Sequence, residues 1–144
     1  MSGGGSNGAW EVGVLWGLLH YGNPADFQWD WMTGVSAGGI NTAGMAGWPV
    51  GKETEGVDWL SYTFTTLSSD QIWEPWPEGI KKSVRGEPSL LNDAPAIAFM
   101  EKILSEPQFK DGFQRNISIA SENIETGEYH IFTRDNITFG AELA

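Results

Sequence analysis

Residues 27–47, FQWDWMTGVSAGGINTAGMAG, change character halfway along. The front, residues 27–33, is rich in aromatic side chains and reads as a short strand. The back, from about Ala37 to Ala46, is built of small residues and reads as a helix. Between them stands Gly34-Val35-Ser36-Ala37-Gly38, a Gly-x-Ser-x-Gly run at the point where strand gives way to helix. A serine on such a sharp turn projects above the sheet, and side chains at the two flanking glycines would clash as the chain folds back. The amide of the next residue, Ala37, then points toward an oxyanion forming at the serine, and the helix N-terminus adds a favourable dipole.

An acyl-transfer site needs a second set of anion donors. Gly3-Gly4-Gly5-Ser6-Asn7-Gly8 leads into apolar residues at helical spacing, namely Trp10, Val14, Leu15, Leu18 and Leu19. Glycine amides at a helix start can approach a tetrahedral centre closely because no Cβ intervenes. The first helix is expected from Asn7 to about His20, with Gly13 and Gly17 permitting close packing against a neighbour.

The rest of the chain continues the alternation. Trp59, Leu60, Phe64 and Leu67 predict a third helix over about residues 55–67. Residues 68–91, with Pro75, Pro77, Pro88, Trp73 and Trp76, read as a long irregular excursion of the kind that forms lids. Asp93 and Pro95 predict a helix start before AIAFMEKIL. NISIAS and EYHIFT read as two strands of a hairpin turning at Thr126-Gly127. The order is that of a single α/β domain over residues 1–144.

Composition narrows the function classes. Hydrophobic residues make up 40% of the 144, enough for a packed core, and the eight tryptophans are expected mostly there. Nineteen carboxylates against eight Lys and Arg give a net charge of −11, and no basic cluster exceeds Lys81-Lys82. Attraction to nucleic acid or to an anionic membrane is therefore disfavoured. Cysteine is absent, which removes disulfides, thiolate metal sites and cysteine nucleophiles and fits a reducing compartment. No apolar run approaches the ~20 residues of a membrane span, and no signal peptide is visible. These features point to a cytoplasmic protein, or one peripheral to a membrane. The sequons at Asn116 and Asn136 read as chance.

Together the two glycine motifs resemble the patatin-like phospholipase family. Its Gly-Gly-Gly-x-x-Gly matches Gly3 to Gly8, and its Gly-x-Ser-x-Gly matches Gly34 to Gly38. Asp30 matches an aspartate shortly before the elbow, and residues 120–133 are similar to the family's strand–turn–strand with a Thr-Gly pair. The resemblance implies a three-layer α/β/α fold with a mainly parallel sheet. It further implies a lipid acyl hydrolase of phospholipase A, lysophospholipase or lipase type. Ser36 would be the nucleophile of a Ser–Asp dyad, with Gly3, Gly4, Gly5 and Ala37 as the oxyanion hole and Gly34 and Gly38 forming the elbow. The substrate would be a lipid ester, met in transient contact with a membrane or micelle, with no cofactor or metal.

Two features depart from the family. Asn7 stands where a basic residue is frequent, and the Asp-Gly-Gly or Asp-Gly-Ala that carries the dyad aspartate does not follow the hairpin before Ala144. Asp111-Gly112 precedes the hairpin and reads as a loop turn. Only Met1 and Ser2 precede the glycine loop, where a core strand is expected. The sequence therefore reads as part of a larger domain, lacking its first strand and its base and inactive in this form.

Other readings compete. A non-catalytic lipid-binding or storage relative would keep the fold without turnover. Gly3-x-Gly5-x-x-Gly8 also satisfies a dinucleotide-binding fingerprint with Asp26 or Asp30 as the ribose acid, but no strand precedes it and Asp30 runs into the serine motif. A Ser–acid–His triad has only His130 available after Ser36, in mid-strand, where a structural role fits better. His20 suits a helix C-terminus, and Glu53, Glu55, Glu74 and Glu78 read as a solvated acidic face.

Overall fold

The computed structural model describes residues 1–77 and 91–136. Two compact units divide the described residues, the first comprising residues 1–65 with 111–136 and the second residues 66–77 with 91–110.

The first unit holds the serine motif. Helix α1 covers Gly8–Tyr21, strand β1 Trp31–Val35, helix α2 Ala37–Ala46 and helix α3 Glu53–Thr66, followed by β2 at Asn116–Glu122 and β3 at Tyr129–Thr133. β1 begins four residues later than its aromatic content predicts. Asn23 caps a 3-10 turn at Pro24–Asp26 by accepting from the Ala25 amide, and Phe27 is still leaving that turn. The sheet order is β1-β2-β3, with β1 parallel to β2 and β2 antiparallel to β3. Thr33 pairs with Ser118, and Ala120 with Ile131. At the start of β1 the Asp30 carbonyl accepts from the Asn116 amide, and the Met1 nitrogen donates to the Thr33 carbonyl at 2.6 Å.

Alternation along β1 turns Met32 inward and Trp31 and Val35 outward. The inward face meets a core of Val12, Leu19, Met32, Met45, Val57 and Leu60. α2 lies at its centre, and every residue of this helix except Ile40 is buried. Its small residues make that possible, since a β-carbon at Gly44 would stand 2.7 Å from Leu60 Cδ2. Gly13 and Gly17 play no such role in α1, because a β-carbon at either would meet nothing within 4 Å. They face open space, contrary to the packing role expected of them. The tryptophans are also less buried than expected. Trp16, Trp29 and Trp59 pack against the core, but Trp10 and Trp31 are 73% and 57% exposed.

The base of the sheet is tied by Arg115, whose side chain is fully buried. Its Nε donates to the Trp48 carbonyl (2.9 Å), one terminal nitrogen to the Trp29 carbonyl (2.8 Å) and Glu53 Oε1 (3.0 Å), and the other to the Pro49 carbonyl (2.9 Å). Glu53 also accepts from the amides of Trp29 and Gly51. It is a buried partner rather than a member of a solvated acidic face. Glu55, by contrast, is exposed and pairs with Lys52. His20 ends α1 as expected, stacks on Trp16 at 4.2 Å between ring centroids, and meets Asp58 Oδ1 at 2.7 Å.

In the second unit, Ser68 and Gln71 form a capping box around a 3-10 turn, Ser69–Gln71. Glu74 bridges to Asn92, and helix α4 spans Ala94–Leu104. Asn92 rather than Asp93 supplies the side-chain cap at the start of α4, accepting from the Ala94 amide at 3.2 Å. The remainder of the expected excursion, residues 78–90 with Glu78 and Pro88, lies outside the described residues.

Candidate active site

Ser36 joins β1 to α2 with φ 53° and ψ −128°, the one non-glycine residue at positive φ among the described residues. A side chain in that region costs about 1–3 kcal/mol, so the surrounding packing must hold it there. Its carbonyl accepts from the amides of Gly39 (2.8 Å) and Ile40 (3.2 Å), which start α2 directly after the turn.

Both flanking glycines are sterically required. A β-carbon at Gly34 would fall inside the Gly38 carbonyl and stand 2.5 Å from Thr42 Oγ1. At Gly38 it would stand 2.5 Å from the carbonyl oxygens of Met1 and Ser2. Gly34→Ala should therefore destabilise the protein by about 3 kcal/mol through overpacking, read as a lower urea midpoint at unchanged slope. A loss under about 1 kcal/mol would show that the turn relaxes freely.

The glycine loop lies against this turn. A β-carbon at Gly3 would stand 3.2 Å from Ser36 Cβ and 3.8 Å from Ser36 Oγ, so glycine brings the backbone directly beside the serine. Gly5 takes φ 55° and opens a 3-10 turn, Gly5–Asn7, that runs into α1. The start of α1 reaches the start of α2, where a β-carbon at Gly8 would touch that of Ala37 at 2.9 Å. Two helix N-termini thus adjoin at the serine. Each contributes a partial positive charge of order half an electron, favouring a developing anion even within a chain of net charge −11. The amides of Gly3, Gly4 and Ala37 have no hydrogen-bond acceptor among the described residues.

A side-chain network fastens the loop. Asn41, fully buried on α2, donates from Nδ2 to the Gly8 carbonyl (3.0 Å) and to Glu11 Oε2 (3.2 Å). Glu11 Oε1 accepts from the Ser2 amide (2.6 Å) and hydroxyl (2.9 Å). Partial burial would raise the Glu11 pKa, but the bonds from Ser2 and Asn41 outweigh it and hold the carboxyl below its usual value. Neither Glu11 nor Asn41 stands out in the sequence, because each sits inside a helical pattern that gives no sign of what it bonds.

The other sequence candidates fall elsewhere. Asp30 is exposed and sits just before β1 rather than within it. His130 lies in β3 opposite Ser121, exposed, with Nε2 3.9 Å from Glu128 Oε2. The geometry thus brings Ser36, its two flanking glycines and the glycine loop together, with no side-chain acceptor on Ser36 Oγ among the described residues.

A parallel strand running into a helix through a strained serine, overlaid by a glycine-rich loop, defines an α/β protein with a sharp strand–serine–helix turn. The family model described as patatin-like phospholipase matches residues 1–141 of this chain, which therefore belongs to that family, at family level one of lipid acyl hydrolases. No curated protein and no solved structure gives a significant match. No helix among the described residues is long and apolar enough to cross a membrane.

Proposed function

We propose that this chain carries the nucleophile and oxyanion hole of a serine-dependent lipid acyl hydrolase. Ser36 Oγ attacks the ester carbonyl carbon and forms a tetrahedral oxyanion. The amides of Gly3, Gly4, Gly5 and Ala37 stabilise that oxygen, aided by the starts of α1 and α2. Collapse breaks the bond to the alcohol, which leaves with a proton, and water then hydrolyses the acyl-enzyme. The proton from Ser36 passes to an aspartate in the dyad that the family resemblance implies.

The observation that carries this reading is the contact of Gly3 with Ser36 at a residue held at φ 53°. Trp10, 73% exposed at the start of α1, offers an amphipathic side chain beside the loop for transient contact with a micelle. The net charge of −11 favours uncharged or zwitterionic surfaces over anionic ones, and gives nucleic acid no purchase.

Incubation of a form that carries the dyad aspartate with mixed micelles of phosphatidylcholine and detergent tests the reading, with release of free fatty acid as the expected result. The absence of any acceptor on Ser36 Oγ among the described residues favours a second reading, in which the fold binds lipid without turnover. Micelle binding with no fatty acid released would select that one.

A further inference from the structure

The Ser2–Glu11–Asn41–Gly8 network brackets the glycine loop at both ends. Ser2 stands immediately before Gly3 and Gly8 immediately after Asn7, and both are bonded, through Glu11 or directly, to one buried amide on α2. That amide lies five positions beyond Ser36 on the helix that the serine itself begins. Any shift of the loop relative to Ser36 must therefore break a hydrogen bond to Asn41 or Glu11.

Asn41 is an inefficient way to fill this space. Its Oδ1 is buried with no hydrogen-bond partner among the described residues, a desolvation cost that an aliphatic side chain would not incur. The orientation is fixed by chemistry, since Gly8 O and Glu11 Oε2 are both acceptors and only the NH2 side of the amide can face them. What Asn41 contributes is thus its two donated hydrogens. Glu11 likewise uses both oxygens, one toward α2 and one toward Ser2.

We propose that Glu11 and Asn41 are positioning residues that set the distance between the glycine-loop amides and Ser36. The proposal rests on the assignment of Ser36 as nucleophile. It assigns neither residue contact with substrate. Their effect is to keep the loop amides aimed at the oxyanion, where small misplacements are costly.

The test uses the whole chain in wild-type and Glu11→Gln forms. Glutamine can still accept from Ser2 but presents a donor to the Asn41 donor, so one link breaks with almost no change in volume. Two readouts are taken together. The first is the 15N order parameter of the Gly3 and Gly4 amides, compared with those in the middle of α2. The second is the rate at which a fluorophosphonate modifies Ser36.

The expected result is that the Gly3 and Gly4 order parameters fall from the rigid range to below about 0.6 while α2 is unchanged. The modification rate should drop about 10-fold or more, and an Asn41→Leu variant should behave alike although it fills the same space. Unchanged order parameters in Glu11→Gln would overturn the proposal, as would mobile loop amides with an unchanged modification rate. A wild-type protein that is not modified at all would overturn the assignment of Ser36 instead, and the order parameters alone would then decide whether the network pins the loop.

Discussion

Ser36→Ala, in a form that carries the dyad aspartate, should reduce ester hydrolysis by about 10³-fold or more while leaving the fold intact. The turn is held by Gly34, Gly38 and the bonds to the Ser36 carbonyl, none of which uses the hydroxyl. A nucleophile working with its base contributes up to about 10⁶-fold, and an oxyanion hole by itself leaves only about 10³–10⁴-fold over water. A drop of about 10³-fold or more, at an unchanged urea midpoint, is the predicted outcome in a p-nitrophenyl ester assay. Retention of more than a tenth of the activity would place the nucleophile elsewhere.

The largest effect on stability is expected at Arg115. Arg115→Met removes the donors that satisfy the carbonyls of Trp29, Trp48 and Pro49, and leaves the Glu53 carboxylate, 3% exposed, without its cation. Breaking one side of a buried pair costs about 3–5 kcal/mol, a large fraction of the 5–15 kcal/mol that holds a typical domain together. Adding Glu53→Gln should recover part of the loss, because the stranded charge then disappears while the carbonyls remain unpaired. Urea denaturation of the two variants measures both quantities. A single variant within about 1 kcal/mol of wild type would mean that water reaches the pair and that Arg115 is not the tie it resembles.

Legibility in the sequence followed from whether a residue's reason lies close by along the chain. Gly38 answers to the distant Met1 and Ser2 carbonyls, but Gly34 is needed because of Gly38 and Thr42 close by. The turn therefore shows in a few letters, and α2 begins at Ala37 as read. The hairpin is equally local, with Asn123 Oδ1 accepting from the amides of Glu125 and Thr126 to shape the turn ahead of Gly127. Arg115 is the opposite case. Its partners are backbone carbonyls 66 to 86 positions away, and a carbonyl leaves no trace in residue type. Glu53 looks like any surface acid until that arginine is in place. Gly13 and Gly17 show the reverse error, since four-residue spacing on a helix suggests a packing seam that the fold does not build. The start of β1 was obscured for another reason, because aromatic content marks burial against the core as readily as it marks a strand, and Phe27 and Trp29 are core-facing before the strand begins.

If Ser36 is the nucleophile proposed above, the glycine loop and the strained turn should make its hydroxyl reactive in the folded chain. Treatment of the intact chain with a fluorophosphonate, followed by intact-mass and peptide mass spectrometry, tests it directly. A single adduct located on Ser36 is expected, absent from Ser36→Ala and lost from the wild type on unfolding in urea. An unmodified protein, or an adduct distributed over other serines and indifferent to urea, would contradict it.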